Sequence, residues 1–140
     1  QIGIKFVIKG SGWEKSALEF KKRHDVDPRI LSQREMSEIF ERSCINLNIL
    51  TLDNSDLSNL RFFEVPASGG LLLTEKNSVS VSYLEDKKEC FMYSSVEEAR
   101  KIIINNNSDL DVISKAGYLR IKKDCHSFSD RVIELLKSIA

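Results

Sequence analysis

The amino-acid sequence predicts an α/β domain of the Rossmann-like, three-layer kind, with a mostly parallel sheet covered by helices. Short apolar, β-branched runs alternate with stretches of helical period, an order that implies parallel strands joined by right-handed crossovers. Small-residue turns, Gly10-Ser11-Gly12 and Ala67-Ser68-Gly69-Gly70, punctuate the runs. Leu71-Leu72-Leu73 is apolar at every position, as a strand buried on both faces requires.

Each element has its own signal. Ile2–Ile8 is a strand delivered into the first glycine turn. Residues 14–31 are mixed in character, with a short helix expected near Lys15–Arg23 and stopped by Pro28. Ser32 with Glu35 forms a capping box for a helix through Ser43, whose Met36, Ile39 and Phe40 share a face. Ile45–Thr51 is the second strand. After a loop over 52–57, Ser58 is expected to N-cap a helix bearing Arg61 and Glu64. Leu71–Leu73 and Cys90–Tyr93 are the next strands, with a charged turn at Glu85–Glu89 between them. Ser95 with Glu98 caps a helix to about Asn105, and Ser108 with Asp111 starts one to about Lys122. The last helix begins near Ser127 and carries Val132, Leu135, Leu136 and Ile139 at helical spacing.

Composition narrows the functional classes. A chain of 140 residues, 41% hydrophobic and 30% charged, builds one soluble globular domain, expected over residues 1–140. Its 21 basic and 21 acidic side chains cancel, which disfavours nucleic acid or an anionic membrane as partner. No apolar run is long enough to span a bilayer. Cys44, Cys90 and Cys125 are odd in number and lack metal-ligand spacing, so reduced, buried thiols in a cytoplasmic setting are expected. The chain opens at Gln1 directly into a strand, which reads as a fragment of a longer protein.

The candidate site is the stretch Arg61-Phe62-Phe63-Glu64-Val65-Pro66-Ala67-Ser68-Gly69-Gly70. Open parallel sheets take ligands beyond the carboxyl ends of their strands, and the helix after the second strand begins there. The N–H groups of Asn59, Leu60 and Arg61 at its start carry partial positive charge, and the Arg61 guanidinium adds forked donors for phosphate oxygens. One turn on, the two oxygens of Glu64 match the adjacent hydroxyls of a ribose. The bland alternative is a solvated surface pair worth a few tenths of a kcal/mol. Gly10 and Gly12 are either simple turn formers or a second backbone approach to the ligand. Asp25-Val26-Asp27 and Asp109-Leu110-Asp111 imitate a metal-binding D-x-D, but Pro28 and a helix start account for them, so no metal site is expected. His24 is expected in an exposed loop. His126 is expected to cap or pack rather than react, and Trp13 to anchor the core or stack on a ligand.

Together with Ile45-Asn46-Leu47-Asn48-Ile49, Ala116-Gly117-Tyr118 and His126, the R-x-F-E-V-P-A-S-G-G core resembles CgeB-like (spore-protein type) glycosyltransferases, in their carboxyl-terminal half. The resemblance runs over nearly the whole chain. It implies the donor-binding domain of a GT-B glycosyltransferase, which binds a nucleotide-diphosphate sugar as substrate and needs neither metal nor other cofactor. In such enzymes a Glu followed by Ala-x-Gly spacing contacts the donor ribose, a position matched here by Glu64, Ala67 and Gly69. Relatives of the wider fold carry a second Glu seven residues earlier, where this chain has Leu57 beside Asp56. With the Glu64 contact that the resemblance implies, the candidate nucleotide-sugar-binding residues are Glu64, Arg61, Asn59 and Ser58, with Gly10 and Gly12 second in rank. The resemblance leaves the catalytic base unassigned and implies an acceptor site on a preceding domain of the same full-length chain. The alternatives are a non-catalytic nucleotide or nucleotide-sugar module, and an interaction domain without a small ligand.

Overall fold

In the computed structural model, which describes residues 4–13, 18–50, 57–105, 109–124 and 126–139, every paired strand is parallel. The chain forms two compact units, Gln1–Met36 and Ser37–Ala140.

The first unit contains β1 (Val7–Lys9), α1 (Leu18–Arg23) and β2 (Asp25–Asp27). β1 pairs with β2, and the Gly10 N–H extends the ladder to the Asp27 carbonyl at 3.0 Å. The predicted strand is thus shorter than its apolar run among the described residues, and Ile2 lies outside them. β2 escapes sequence reading because its only apolar residue is Val26. Tertiary pairing makes it a strand. That pairing also explains the D-x-D. Strand alternation puts Asp25 and Asp27 on one side, where Lys9 approaches them at 3.4 and 3.8 Å and Arg29 clasps Asp27 at 2.8 Å. Hydrogen bonding from Arg29 holds the Asp27 carboxyl down at about 2. His24 is not an exposed loop residue. Its ring sits edge-on to Phe6 and Phe20, and Nδ1 accepts from the Phe6 N–H at 3.3 Å. Trp13 stacks on Phe20 at 5.7 Å between centroids.

α2 (Gln33–Arg42) starts with the expected capping box: the Ser32 N–H donates to Glu35 and the Glu35 N–H to Ser32 Oγ. It leads to β3 (Asn46–Leu47), α3 (Leu60–Ala67), β4 (Leu72–Glu75), α4 (Ser78–Tyr83), β5 (Phe91–Tyr93), α5 (Val96–Ile104), α6 (Leu110–Lys123) and α7 (Phe128–Ser138). The sheet order is β3-β4-β5, with Asn46 opposite Leu72 and Leu73 opposite Phe91. Leu71, Leu73, Phe91 and Tyr93 face Ala99 and Ile102 of α5 and Leu110 and Ile113 of α6. Leu72, Thr74 and Met92 alternate to the other face, where α3 buries Phe62 and Val65. Helices therefore cover both faces, as a parallel sheet demands.

Several boundaries differ from expectation. α4 was not foreseen, because Ser78-Val-Ser-Val-Ser-Tyr83 alternates like a strand. Asn77 overrides that pattern by accepting from the Val79 and Ser80 N–H groups while Ser80 Oγ accepts from the Asn77 N–H. Asp109 rather than Ser108 caps α6, accepting from the Val112 N–H, and Ser108 lies outside the described residues. Cys90 is buried, which pushes its thiol up to about 12, whereas Cys44 is exposed, contrary to expectation. Cys125 lies outside the described residues. α7 has the predicted spacing and its Ser127–Asp130 capping box, yet Val132, Leu135 and Leu136 are exposed.

The Ala-Ser-Gly-Gly run has a structural job. Ser68 ends α3, Gly69 takes φ +80°, and the Gly69 and Gly70 N–H groups return to the Pro66 and Val65 carbonyls at 2.9 and 3.0 Å. This is a Schellman ending, and Pro66 sits in the last turn rather than mid-helix. A Cβ on Gly70 would lie 2.6 Å from the Phe40 carbonyl oxygen, and one on Gly117 would collide with the Glu89 carbonyl. Gly69→Ala is expected to cost about 1–2 kcal/mol through its left-handed φ. Gly70→Ala and Gly117→Ala should each cost about 1–3 kcal/mol by overpacking, all three measured by urea unfolding. Iodoacetamide mapped by mass spectrometry should label Cys44 in the folded chain and Cys90 only after unfolding.

Candidate functional site

The carboxyl ends of β3, β4 and β5 meet at a buried polar junction centred on Asn48. Its N–H continues the ladder to the Leu73 carbonyl at 2.8 Å, so the side chain is held on the α3 face of the sheet. From there Nδ2 donates to Thr74 Oγ1 at 3.2 Å, and Oδ1 accepts from Asn59 Nδ2 at 3.0 Å. The Tyr93 hydroxyl donates to the Asn48 carbonyl at 3.2 Å. Glu75 closes the edge by accepting from the Leu50 N–H at 3.1 Å and from Tyr93 at 3.4 Å. Burial, then the Glu75 charge, pushes the Tyr93 phenol up to about 12, so it remains a donor at neutral pH.

Asn59 carries this junction into the helix. Its extended backbone and its Oδ1, which accepts from the Phe62 N–H at 3.2 Å, make it the N-cap of α3. The expected cap, Ser58, lies one residue too early; its Oγ is buried without a hydrogen-bond partner among the described residues. The shift has a simple cause. An Asn can cap the helix and bond Asn48 with its second polar atom, which a serine at 58 cannot do. The Leu60 and Arg61 N–H groups are the ones left without acceptors inside the helix. Asn77, the cap of α4, donates to the Leu57 carbonyl at 3.0 Å, and Ser95 caps α5 after β5. Three helix starts thus converge on the same sheet edge, and each contributes partial positive charge.

Arg61 and Glu64 both project from α3 and form an ion pair with each other. The side chains are 47% and 36% exposed, and the Arg61 guanidinium also lies over the Phe40 ring at 5.6 Å. Ser58, Asn59, Arg61 and Glu64 are therefore brought together at one helix start. Gly10 and Gly12 belong to the first unit, where both take positive φ, +115° and +96°, in the turn after β1. A hollow of about 220 Å³ lies elsewhere, at the amino edge of β3 and β4, lined by residues including Arg42, Cys44, Leu71 and Asp111. Of the candidate stretch only Gly69 lines it; Ser58, Asn59, Arg61 and Glu64 do not. For an anionic ligand the helix-start edge has the better chemistry, since the hollow counts two carboxylates, Glu41 and Asp111, against the single guanidinium of Arg42. Among the described residues, no group of three or more metal-ligating side chains occurs.

Sequence reading missed Asn48, Thr74, Glu75 and Tyr93 as members of this junction. The available signal was the alternation Ile45-Asn46-Leu47-Asn48-Ile49, which puts two amides on one face of an otherwise apolar strand.

Parallel strands with helices on both faces define the protein as a Rossmann-like α/β domain. A family model described as glycosyl transferase-like matches residues 1–137, and the chain belongs to that family. It is a glycosyltransferase-like domain. No curated protein and no solved structure matches the chain significantly. No helix among the described residues is long and apolar enough to cross a membrane.

Asn59→Ala should lower stability by about 1 kcal/mol through the lost cap. Asn48→Ala should cost about 1–3 kcal/mol, because the buried Thr74 and Asn59 groups lose their partner. Thermal unfolding of the single variants and the double variant should give non-additive losses.

Proposed function

We propose that the chain is the donor-binding domain of a CgeB-like, GT-B glycosyltransferase that moves a sugar from a nucleotide diphosphate to an acceptor. The observation that carries this reading is the Arg61–Glu64 pair on a helix that starts at the carboxyl edge of a parallel sheet, in a chain of the glycosyl transferase-like family. The diphosphate would lie against the Leu60 and Arg61 N–H groups, with the Arg61 guanidinium offsetting charge that develops on the leaving phosphate. Donors aimed at that oxygen supply what a metal supplies elsewhere, so the reaction needs none. Glu64 would take the ribose hydroxyls. Its existing pairing with Arg61 is no obstacle. A half-exposed ion pair is worth about 0.2–1 kcal/mol, less than the charge-assisted hydrogen bonds that a diphosphate and a ribose would substitute for it.

In this reading the Asn48 junction keeps the helix start aimed at the ligand, and Ser58 Oγ supplies an additional polar contact. The acceptor and any general base belong to a preceding domain of the full-length chain, and the protein works in the cytoplasm, where its thiols stay reduced.

Calorimetric titration with uridine and guanosine diphosphates and their sugar conjugates tests the reading. One of them should bind saturably, and Glu64→Ala should weaken it about tenfold, equivalent to about 1.4 kcal/mol. Indifference of the wild-type chain to every nucleotide would favour the interaction-domain alternative, in which Arg61 and Glu64 are only a surface pair. Acceptor-dependent nucleotide release by the full-length protein would separate an enzyme from a non-catalytic module.

A further inference from the structure

His126 stands just before α7, and its side chain is only 7% exposed. The imidazole packs against two rings, Phe63 of α3 at 5.3 Å and Tyr83 of α4 at 5.1 Å between centroids. Phe63 and Tyr83 also meet edge-on at 5.4 Å, so the three rings form one cluster. On its polar side, Nδ1 lies 2.7 Å from an Arg131 guanidinium nitrogen. A guanidinium can only donate, so Nδ1 must be an acceptor and the ring must be neutral. The contact joins the first turn of α7 to α3 and α4. Most of the rest of α7 is exposed, its Val132, Leu135 and Leu136 included.

We propose that His126 is an acid-sensitive latch: as a neutral imidazole it docks the start of α7 onto Phe63 and Tyr83, and protonation releases it. An imidazolium here would face the Arg131 cation with no lone pair to offer and would lose most of its hydration between the two rings. The other charges around the ring oppose one another. From the end of α6, Asp124 lies 3.9 Å from Nε2 and favours the charged ring, but it is already engaged by Arg120 at 2.7 Å, whose own charge opposes it. From α7, Asp130 is tied to the Ser127 N–H at 3.0 Å and to its hydroxyl. From α4 comes the neutral Tyr83 phenol, and from α3 the Phe63 ring. Burial first, and Arg131 next, outweigh the two carboxylates and lower the imidazole below its usual range. A histidine lowered on folding contributes stability in full above its ordinary value of about 6.5, and that contribution is lost as pH falls through the lowered value. Acid therefore loosens α7 while neutral pH secures it.

The test is hydrogen exchange of the whole chain between about pH 8 and about pH 5, corrected for intrinsic exchange and read on the amides of residues 127–138. The wild-type segment should lose protection several-fold on acidification. His126→Asn keeps an acceptor near the Nδ1 position but cannot titrate, so its protection should hardly change with pH. Equal loss in wild type and variant would overturn the proposal and point to His24 or the carboxylates. So would wild-type protection that does not respond to pH. If the variant does not fold, imidazole proton resonances of the two histidines decide the matter, with His24→Asn providing the assignment. His126 should titrate below the ordinary histidine range and shift the Phe63 and Tyr83 ring signals as it does. A normal or raised titration point, or rings that stay silent, would sink the latch.

Discussion

Four hydrogen bonds around Asn48 hold the candidate site in register with the sheet. The amide side chain spans from Thr74 in the central strand to Asn59 at the start of α3, and its own backbone serves Leu73 and Tyr93. Each bond contributes about 1 kcal/mol net, but the groups are buried, so losing one partner exposes the larger cost of an unsatisfied polar atom. The junction therefore gives specificity of position rather than bulk stability. Bulk stability comes from the apolar layers on either side, Leu71, Leu73 and Phe91 against α5 and α6, and Phe62 and Val65 of α3 over Leu72 and Met92.

The same few residues serve the fold and the site, which limits what a conspicuous motif can be taken to mean. Gly69 and Gly70 belong to the candidate stretch, yet the positive φ of Gly69 is consumed in ending α3 and the close approach at Gly70 in packing on Phe40 and Asn46. Gly117 is consumed in the same way against Glu89. His126 closes a ring cluster. What remains uncommitted to packing is the half-exposed Arg61–Glu64 pair, flanked by helix N–H groups that have no acceptor inside their helix. A surface that can exchange a weak internal ion pair for ligand contacts suits binding better than a locked one.

Much of the fold was legible in local chemistry. The helices α2, α5 and α7 begin where Ser32, Ser95 and Ser127 place an N-cap with an acid three residues on; α2 and α7 close a full capping box, in α5 Glu98 reaches the Ser94 N–H instead, and all of these bonds are local. The central strand was legible because a run apolar on both faces has few other fates. β2 and α4 were not legible. Asp25-Val26-Asp27 becomes a strand only because β1 lies beside it, and Ser78–Tyr83 alternates like a strand while its cap carries Ser80 where α2, α5 and α7 carry an acid, which weakens the helix signal. The site was half legible: the helix, Arg61 and Glu64 could be read, but the cap moved from Ser58 to Asn59.

By itself the amino-acid sequence determined the α/β order, the parallel pairing it implies and the one helix on which a cation and a carboxylate stand a turn apart. Those properties depend on period, composition and short-range capping, all of which act within a few residues. Only the tertiary structure decided that Asn59 starts that helix, that Asn48 binds it to the strand ends, and that the apolar stripe of α7 stays exposed while His126 anchors its first turn. Those outcomes join residues many positions apart, and which distant donor meets which acceptor is settled by packing alone.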